Sequence, residues 1–211
     1  MNKKYVVGID EAGRGPLAGP VSISAVIMTL DNYSELTRMI RSIKWLTTNG
    51  FPPLKDSKKL SEVQREKWYE QILLWKKEGF LDFSNTLISS KEIDSKGISS
   101  VIKYGTSRIL KKFTNICAPE HMNVLLDGSL SAPKEFTNQK TIIKGDELEI
   151  IISMASIISK VKRDRKMISL AEKYPAYQFE VHKGYGTDKH RKLIKKYGVV
   201  KIHRVSFCRN I

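Results

Sequence analysis

Residues 10–21 read Asp-Glu-Ala-Gly-Arg-Gly-Pro-Leu-Ala-Gly-Pro-Val, and they restrict the possible folds more than any other stretch. Pro16 and Pro20 lack an amide hydrogen and clash with a preceding helical turn, while Gly13, Gly15 and Gly19 permit backbone angles closed to other residues. The stretch must be a tight loop. On either side lie β-branched and aromatic runs, 4–9 and 21–28, which read as strands joined by it. The glycine spacing misses GxGxxG and no helix can start across Pro16, so a dinucleotide-binding turn is excluded. A GxxxxGK[ST] phosphate loop is also absent. What remains is a loop around one arginine, Arg14, whose backbone can approach a sugar-phosphate closely.

Helical and strand periods alternate downstream. Leu36, Ile40, Ile43 and Leu46 predict a helix within 31–50, ended by Gly50 and Pro52-Pro53. Ser61 with Gln64 forms a capping box ahead of Val63, Tyr69, Ile72 and Leu73, predicting a helix that closes at Gly79. A third strand follows at 80–88, then a helix at 97–112, short strands at 123–126 and 141–143, and a long helix over 147–173 stopped by Tyr174-Pro175. A last helical patch covers 188–197. This order predicts an α/β fold in one domain over 1–211, with a basic helical C-terminal region from about residue 174. The two cysteines, Cys117 and Cys208, form no CxxC pair and are expected to be free thiols. The apolar runs are too short for a membrane span, and Asp10-Glu11 interrupts anything resembling a signal peptide, so a cytoplasmic protein is expected.

Thirty-seven Lys and Arg against 22 Asp and Glu give a net charge of +15. Eleven of those charges lie beyond residue 150. A basic lobe beside a nearly balanced body suits a polyanion, because each neutralised phosphate releases counterions. A merely solvated basic face would interleave acids, and few are present there. Against this background the acids at strand ends matter. Asp10 and Glu11 close the first strand, Asp127 closes 123–126, and Asp146 follows 141–143. Singly, each has a plain explanation: Asp127-Gly128 is a turn dipeptide, and Asp146 can complement a helix N-terminus. Together, in a chain built to attract polyanions, they read as ligands for a divalent cation, since crowded carboxylates repel unless one neutralises them. Oxygen ligands without neighbouring His or Cys favour Mg²⁺ or Mn²⁺ over zinc. No side chain stands out as a general base; His182, His190 and His203 read as phosphate contacts or packed groups.

The 10–21 stretch resembles the signature of bacterial ribonuclease HII. The similarity continues in family order through 56–61, Leu126-Asp127-Gly128, Lys144-Gly145-Asp146, 155–161 with Arg163-Asp164, 183–187 and 203–207, nearly the whole chain. The resemblance implies a ribonuclease H-like mixed sheet flanked by helices and a metal-dependent endonuclease with two ions, Mg²⁺ or Mn²⁺. Its substrates would be the RNA strand of RNA–DNA hybrids and single ribonucleotides embedded in duplex DNA, cut on their 5′ side as part of ribonucleotide removal in replication and repair. It implies that Asp10, Glu11, Asp127 and Asp146 hold the metals and that Gly13-Arg14-Gly15 contacts the ribose 2′-OH. Tyr185 would stack at the RNA–DNA junction, and Lys58 and Lys59 would contact phosphates. A monomer without an obligate protein partner is expected. Asp164, among basic neighbours on a helix, is read as an ion-pair partner rather than a ligand.

The chain departs from the usual family pattern at 30–54, where a short connection is replaced by a long one. The sister type, ribonuclease HIII, lacks the Gly-Arg-Gly loop and carries an extra N-terminal domain, which is not expected here with the Asp-Glu pair beginning at residue 10. Two rivals share part of the pattern: a basic RNA-binding protein without catalysis, and a junction-resolvase-like nuclease acting on all-DNA substrates.

Overall fold

The computed structural model describes residues 4–54, 57, 59–209 and 211. Strands β1 (Tyr5–Ala12) and β2 (Val21–Thr29) flank the glycine loop as expected, and β1 pairs with β2 as far as Ala12↔Ser22. Asp10 and Glu11 therefore lie inside a strand, not beyond its end. Helices α1 (Leu30–Arg41), α2 (Ile43–Asn49) and α3 (Glu62–Lys77) lead to β3 (Asp82–Ile88). Next come α4 (Ser90–Lys96), α5 (Ile98–Phe113), β4 (Met122–Asp127), β5 (Gln139–Ile142), α6 (Gly145–Leu148) and α7 (Ile150–Lys173). The chain ends with α8 (Phe179–His182) and α9 (Asp188–Tyr197). The sheet runs β3-β2-β1-β4-β5, antiparallel on the β2 side of β1 and parallel on the β4 side.

Alternation along β1 assigns its two faces. Val6 packs into a cluster with α3 and α7, whereas Val7 and Ile9 pack into a second cluster with α5. Gly8 is on the α7 side, where a Cβ would lie 2.5 Å from the backbone of Ile151, so only glycine lets α7 press onto the central strand. Asp10, two residues on, shares that side; Glu11 projects to the other.

Four local expectations change. The helix in 31–50 is two helices, because Ser42 is extended and its hydroxyl accepts from Trp45 N to start α2, which leaves Ile43 exposed. The capping box at Ser61 and Gln64 is present, but the buried stripe of α3 is Trp68, Tyr69, Ile72 and Trp75, with Val63 and Leu73 exposed. Trp68 and Trp75 also receive Trp45 from the 30–54 segment, with ring centroids 6.4 Å from each, so this segment is tied to the α7-side core. The helix over 147–173 splits at the extended residue Glu149 into α6 and α7, and α4 was missed although Ser89 and Glu92 form a second capping box.

A third cluster joins Leu17 and Ala18 of the glycine loop to Met167, Leu170 and Ala171 of α7 and to Tyr177, Phe179 and Ile194. The C-terminal segment thus packs against the loop. Both cysteines are free, and no described helix is long and apolar enough to cross a membrane.

Candidate active site

Parallel register builds the acid centre. Ile9 is opposite Leu126 where the β1–β4 pairing ends, so the next residues, Asp10 and Asp127, stand side by side. The chain returns through β5, and Lys144, in the left-handed region at φ 55°, turns it into α6. There Gly145 N donates to Asp127 Oδ1 at 2.7 Å and Asp146 N at 3.4 Å, fixing both acids. Gly145 packs closely here, since a Cβ would meet the Ile152 Cδ1 at 2.7 Å and force that side chain to shift. One oxygen from each of Asp10, Asp127 and Asp146 lies within 4.8 Å of the others.

Serines on one face of α7 support these acids. Ser153 Oγ donates to the Asp146 carbonyl at 2.6 Å, Ser159 Oγ donates to the Asp10 carbonyl at 3.0 Å, and Ser156 hydrogen-bonds the Asp10 carboxylate and pairs with Ser57 at 2.7 Å. The three sit three residues apart, a spacing visible in the sequence and not used there. Burial pushes the Asp10 carboxyl well above the usual range, and repulsion from Glu11 and Asp127 adds to it. Glu11 is raised by burial too, against the pull of Arg14, whose Nη1 is 3.1 Å from Glu11 Oε1. Glu11 is thus on the opposite face of β1, outside the three-carboxylate group but near enough to Asp127 to feel its charge.

These donors fit a hard divalent cation. Octahedral Mg²⁺ at about 2.0–2.1 Å from its ligands holds oxygens about 3–4 Å apart, which the three carboxylates match with small adjustment. A cation would also offset the burial, and the lesser repulsion from Glu11 and Asp127, that raise Asp10.

The glycine loop is held from below by two buried arginines that were not singled out in the sequence. Arg204 donates to the carbonyls of Gly19 (3.0 Å), Arg14 (2.9 Å) and Gly13 (2.7 Å). Arg163 donates to those of Pro20 (2.9 Å) and Ala18 (3.2 Å). Burial pulls both guanidiniums down, Arg204 to about 9, and neither is in an ion pair with a described residue. Gly13, at φ +93°, has no space for a side chain: its Cβ would lie 2.0 Å from Arg163 Nε. Both arginines fall in the family-like blocks, and only their burial identifies the role.

Tyr185 sits on the turn after α8, its ring partly exposed and 5.4 Å from the Arg163 guanidinium. Gly184 O accepts from Leu17 N at 2.8 Å, tying that turn to the loop. Lys59 pairs with Glu147 at 2.9 Å, next to Asp146; Lys58 is outside the described residues. Asp164 pairs with Lys160 at 2.8 Å, as expected of an ion-pair residue. The three tail histidines are packed, not surface phosphate contacts.

This sheet is shared with ribonuclease H2 from Pyrococcus horikoshii, at TM-score 0.63 and 28% identity over 97% of this chain and 95% of that one. Bst-RNase HIII in complex with Mn²⁺ matches in fold alone, at TM-score 0.63 and 16% identity over 94% of this chain and 64% of that one. Fold and acid centre define a ribonuclease H-like, metal-dependent nuclease. The ribonuclease HII family model matches residues 7–210, and ribonuclease HII of Caldicellulosiruptor bescii is 40% identical over 208 residues, covering 99% of this chain and 88% of that protein. The chain belongs to the ribonuclease HII family, endonucleases that act on the RNA strand of RNA–DNA hybrids.

Proposed function

We propose that this protein cuts the RNA strand of RNA–DNA hybrids and also incises duplex DNA on the 5′ side of a single embedded ribonucleotide, leaving 5′-phosphate and 3′-hydroxyl ends. The observation that carries the reading is the loop clamped beside the acid centre. With its carbonyls of Gly13 and Arg14 turned inward onto Arg204, the backbone at 13–15 is held rigid where a ribose can meet it. Gly15 has nothing within 4 Å of a notional Cβ, so a sugar can come close there. Asp10, Asp127 and Asp146 hold divalent ions, with Glu11 joining from the other face of β1. Two Mg²⁺ or Mn²⁺ ions bound there would supply the Lewis acidity that activates water for in-line attack and neutralises the departing 3′ oxygen. The Glu11–Arg14 contact couples this centre to the loop, so recognition of a 2′-OH and placement of the scissile phosphate are linked. Tyr185 stacks at the junction, and Lys59 and the basic C-terminal segment meet phosphates, in one domain acting as a cytoplasmic monomer.

The test uses a duplex with one ribonucleotide, incubated with Mn²⁺ or Mg²⁺. One cut 5′ of the ribonucleotide is expected, and none when that position is deoxyribose. Cutting of the all-deoxy duplex would indicate a junction-type nuclease. Duplex binding indifferent to chelator, with no product, would indicate a non-catalytic RNA-binding protein.

A further inference from the structure

Behind the Tyr185 turn, three histidines form a connected group, each nine-tenths buried or more. His182 and His190 stack with ring centroids 4.2 Å apart, and His190 and His203 approach Nε2 to Nε2 at 3.1 Å. The edge of Phe179 closes the group against His182 and His190.

Their backbone partners fix every proton. His182 Nε2 faces the Tyr177 carbonyl at 2.8 Å and must donate, so its Nδ1 accepts from Gly184 N at 3.1 Å. Val200 N donates to His203 Nδ1 at 2.8 Å, shorter than that atom's 3.3 Å approach to the Val200 carbonyl, which is then no hydrogen bond, and the His203 proton is left on Nε2. That proton points at His190 Nε2, so His190 carries its own on Nδ1, 2.9 Å from the Tyr185 carbonyl. One neutral tautomer per ring satisfies all these contacts, and a second proton on any ring would oppose a donor to a donor. Burial, which lowers all three rings, favours the neutral forms. Two of the rings end on the backbone flanking the exposed tyrosine: His182 on Gly184 and His190 on Tyr185.

We propose that His190, seated by His203, is a positioning residue for Tyr185 and thereby sets the preference for a single embedded ribonucleotide over a continuous hybrid. Its direct act is to hold the Tyr185 carbonyl, which fixes where the ring points without touching substrate. The inference rests on the junction-stacking role given to Tyr185 above.

The readout is the ratio of kcat/KM on a duplex with one ribonucleotide to that on a long RNA–DNA hybrid, which cancels losses common to both. His190→Leu is expected to lower the ratio about tenfold with hybrid cleavage nearly unchanged. His190→Asn, whose amide can occupy the Nδ1 position and donate to Tyr185, should restore most of it. Combining His190→Leu with Tyr185→Ala should cost no more in the ratio than Tyr185→Ala alone. Equal loss on both substrates, or no rescue by asparagine, would overturn the positioning role. If Tyr185→Ala leaves the ratio unchanged, the junction reading itself fails and takes this inference with it; if only His190→Leu leaves it unchanged, this inference alone is lost. Imidazole ¹⁵N shifts of the wild-type protein at pH 7 give an independent reading that needs no variant to fold. The expected pattern is Nε2–H for His182 and His203 and Nδ1–H for His190, and an Nε2–H or doubly protonated His190 refutes the chain.

Discussion

The acid centre and the glycine loop are both built on buried charged side chains, yet they draw on different partners. At the acid centre, Asp10, Asp127 and Asp146 crowd their oxygens within 4.8 Å, and burial raises Asp10. In the loop, Arg163 and Arg204 are fully buried but spend their protons on five backbone carbonyls. The loop's five carbonyls are satisfied by the chain itself, although Arg163 Nη1, also buried, has no hydrogen-bond partner among the described residues. The acids accept hydrogen bonds from Ser156 and from the backbone at 145–146, but these leave the repulsion among the carboxylates, which a cation from outside would relieve. Rigidity of the recognition loop is therefore paid for in folding, while the catalytic centre stays poised for ligand.

The sharpest way to break this comparison is Asp10→Asn. Activity should fall about a thousandfold, matching the several kcal/mol of charge stabilisation a metal centre supplies to a transition state. In chelator, the same variant should melt higher than wild type, by about 2–4 °C for each 1 kcal/mol of repulsion removed. A lower melting temperature in chelator would mean that the acids are not strained without metal.

Arg204→Met strikes the other region. Three buried carbonyls would lose their donor, at about 1–3 kcal/mol each, so calorimetry should show a melting temperature lower by about 6 °C or more. Arg204→Lys should recover little, because one ammonium cannot span three carbonyls set for a planar fork. Full recovery by lysine would reduce Arg204 to a source of charge.

How far the sequence foretold each region follows from the same contrast. Asp10, Asp127 and Asp146 were legible because several acids fall together near strand ends in a chain otherwise rich in basic residues, and because the motifs that hold them resemble those of ribonuclease HII. Glu11 was grouped with them, but strand alternation sends it to the other face beside Arg14. The glycines of the loop were legible; the arginines beneath it were not, since Arg163 and Arg204 lie 143 to 191 residues away from the carbonyls they hold. Among so many basic residues, only burial separates those two from the solvated ones. Ser42 and Glu149 broke predicted helices because each is a single extended residue through which the pattern of apolar residues continues.

Within the loop, Gly13 and Gly15 sharpen the comparison. Gly13→Ala forces a side chain into Arg163 at a left-handed φ, and a loss of about 1–3 kcal/mol in stability is expected together with weaker cleavage at embedded ribonucleotides. Gly15→Ala meets no atom within 4 Å and should leave the melting temperature unchanged. Any fall in its cleavage of ribonucleotide-containing duplex then reports the approach of substrate alone, measured as KM against kcat.

The smallest effect is in pH, where the acid centre and the histidine group behind Tyr185 carry opposite signs. The folded His190 titrates at about 4, below its ordinary 6.5, so between those values the unfolded chain binds a proton that the folded chain refuses. Stability from this group is complete above 6.5 and declines as pH falls toward 4. Asp10, raised in the fold, acts in reverse: without metal, the folded chain binds the extra proton, and this group favours folding more as pH falls. Urea midpoints from pH 7.5 to 5 in chelator should therefore fall less steeply for His190→Asn than for wild type, and more steeply for Asp10→Asn. Parallel profiles for all three proteins would show that neither buried group is coupled to folding as the geometry requires.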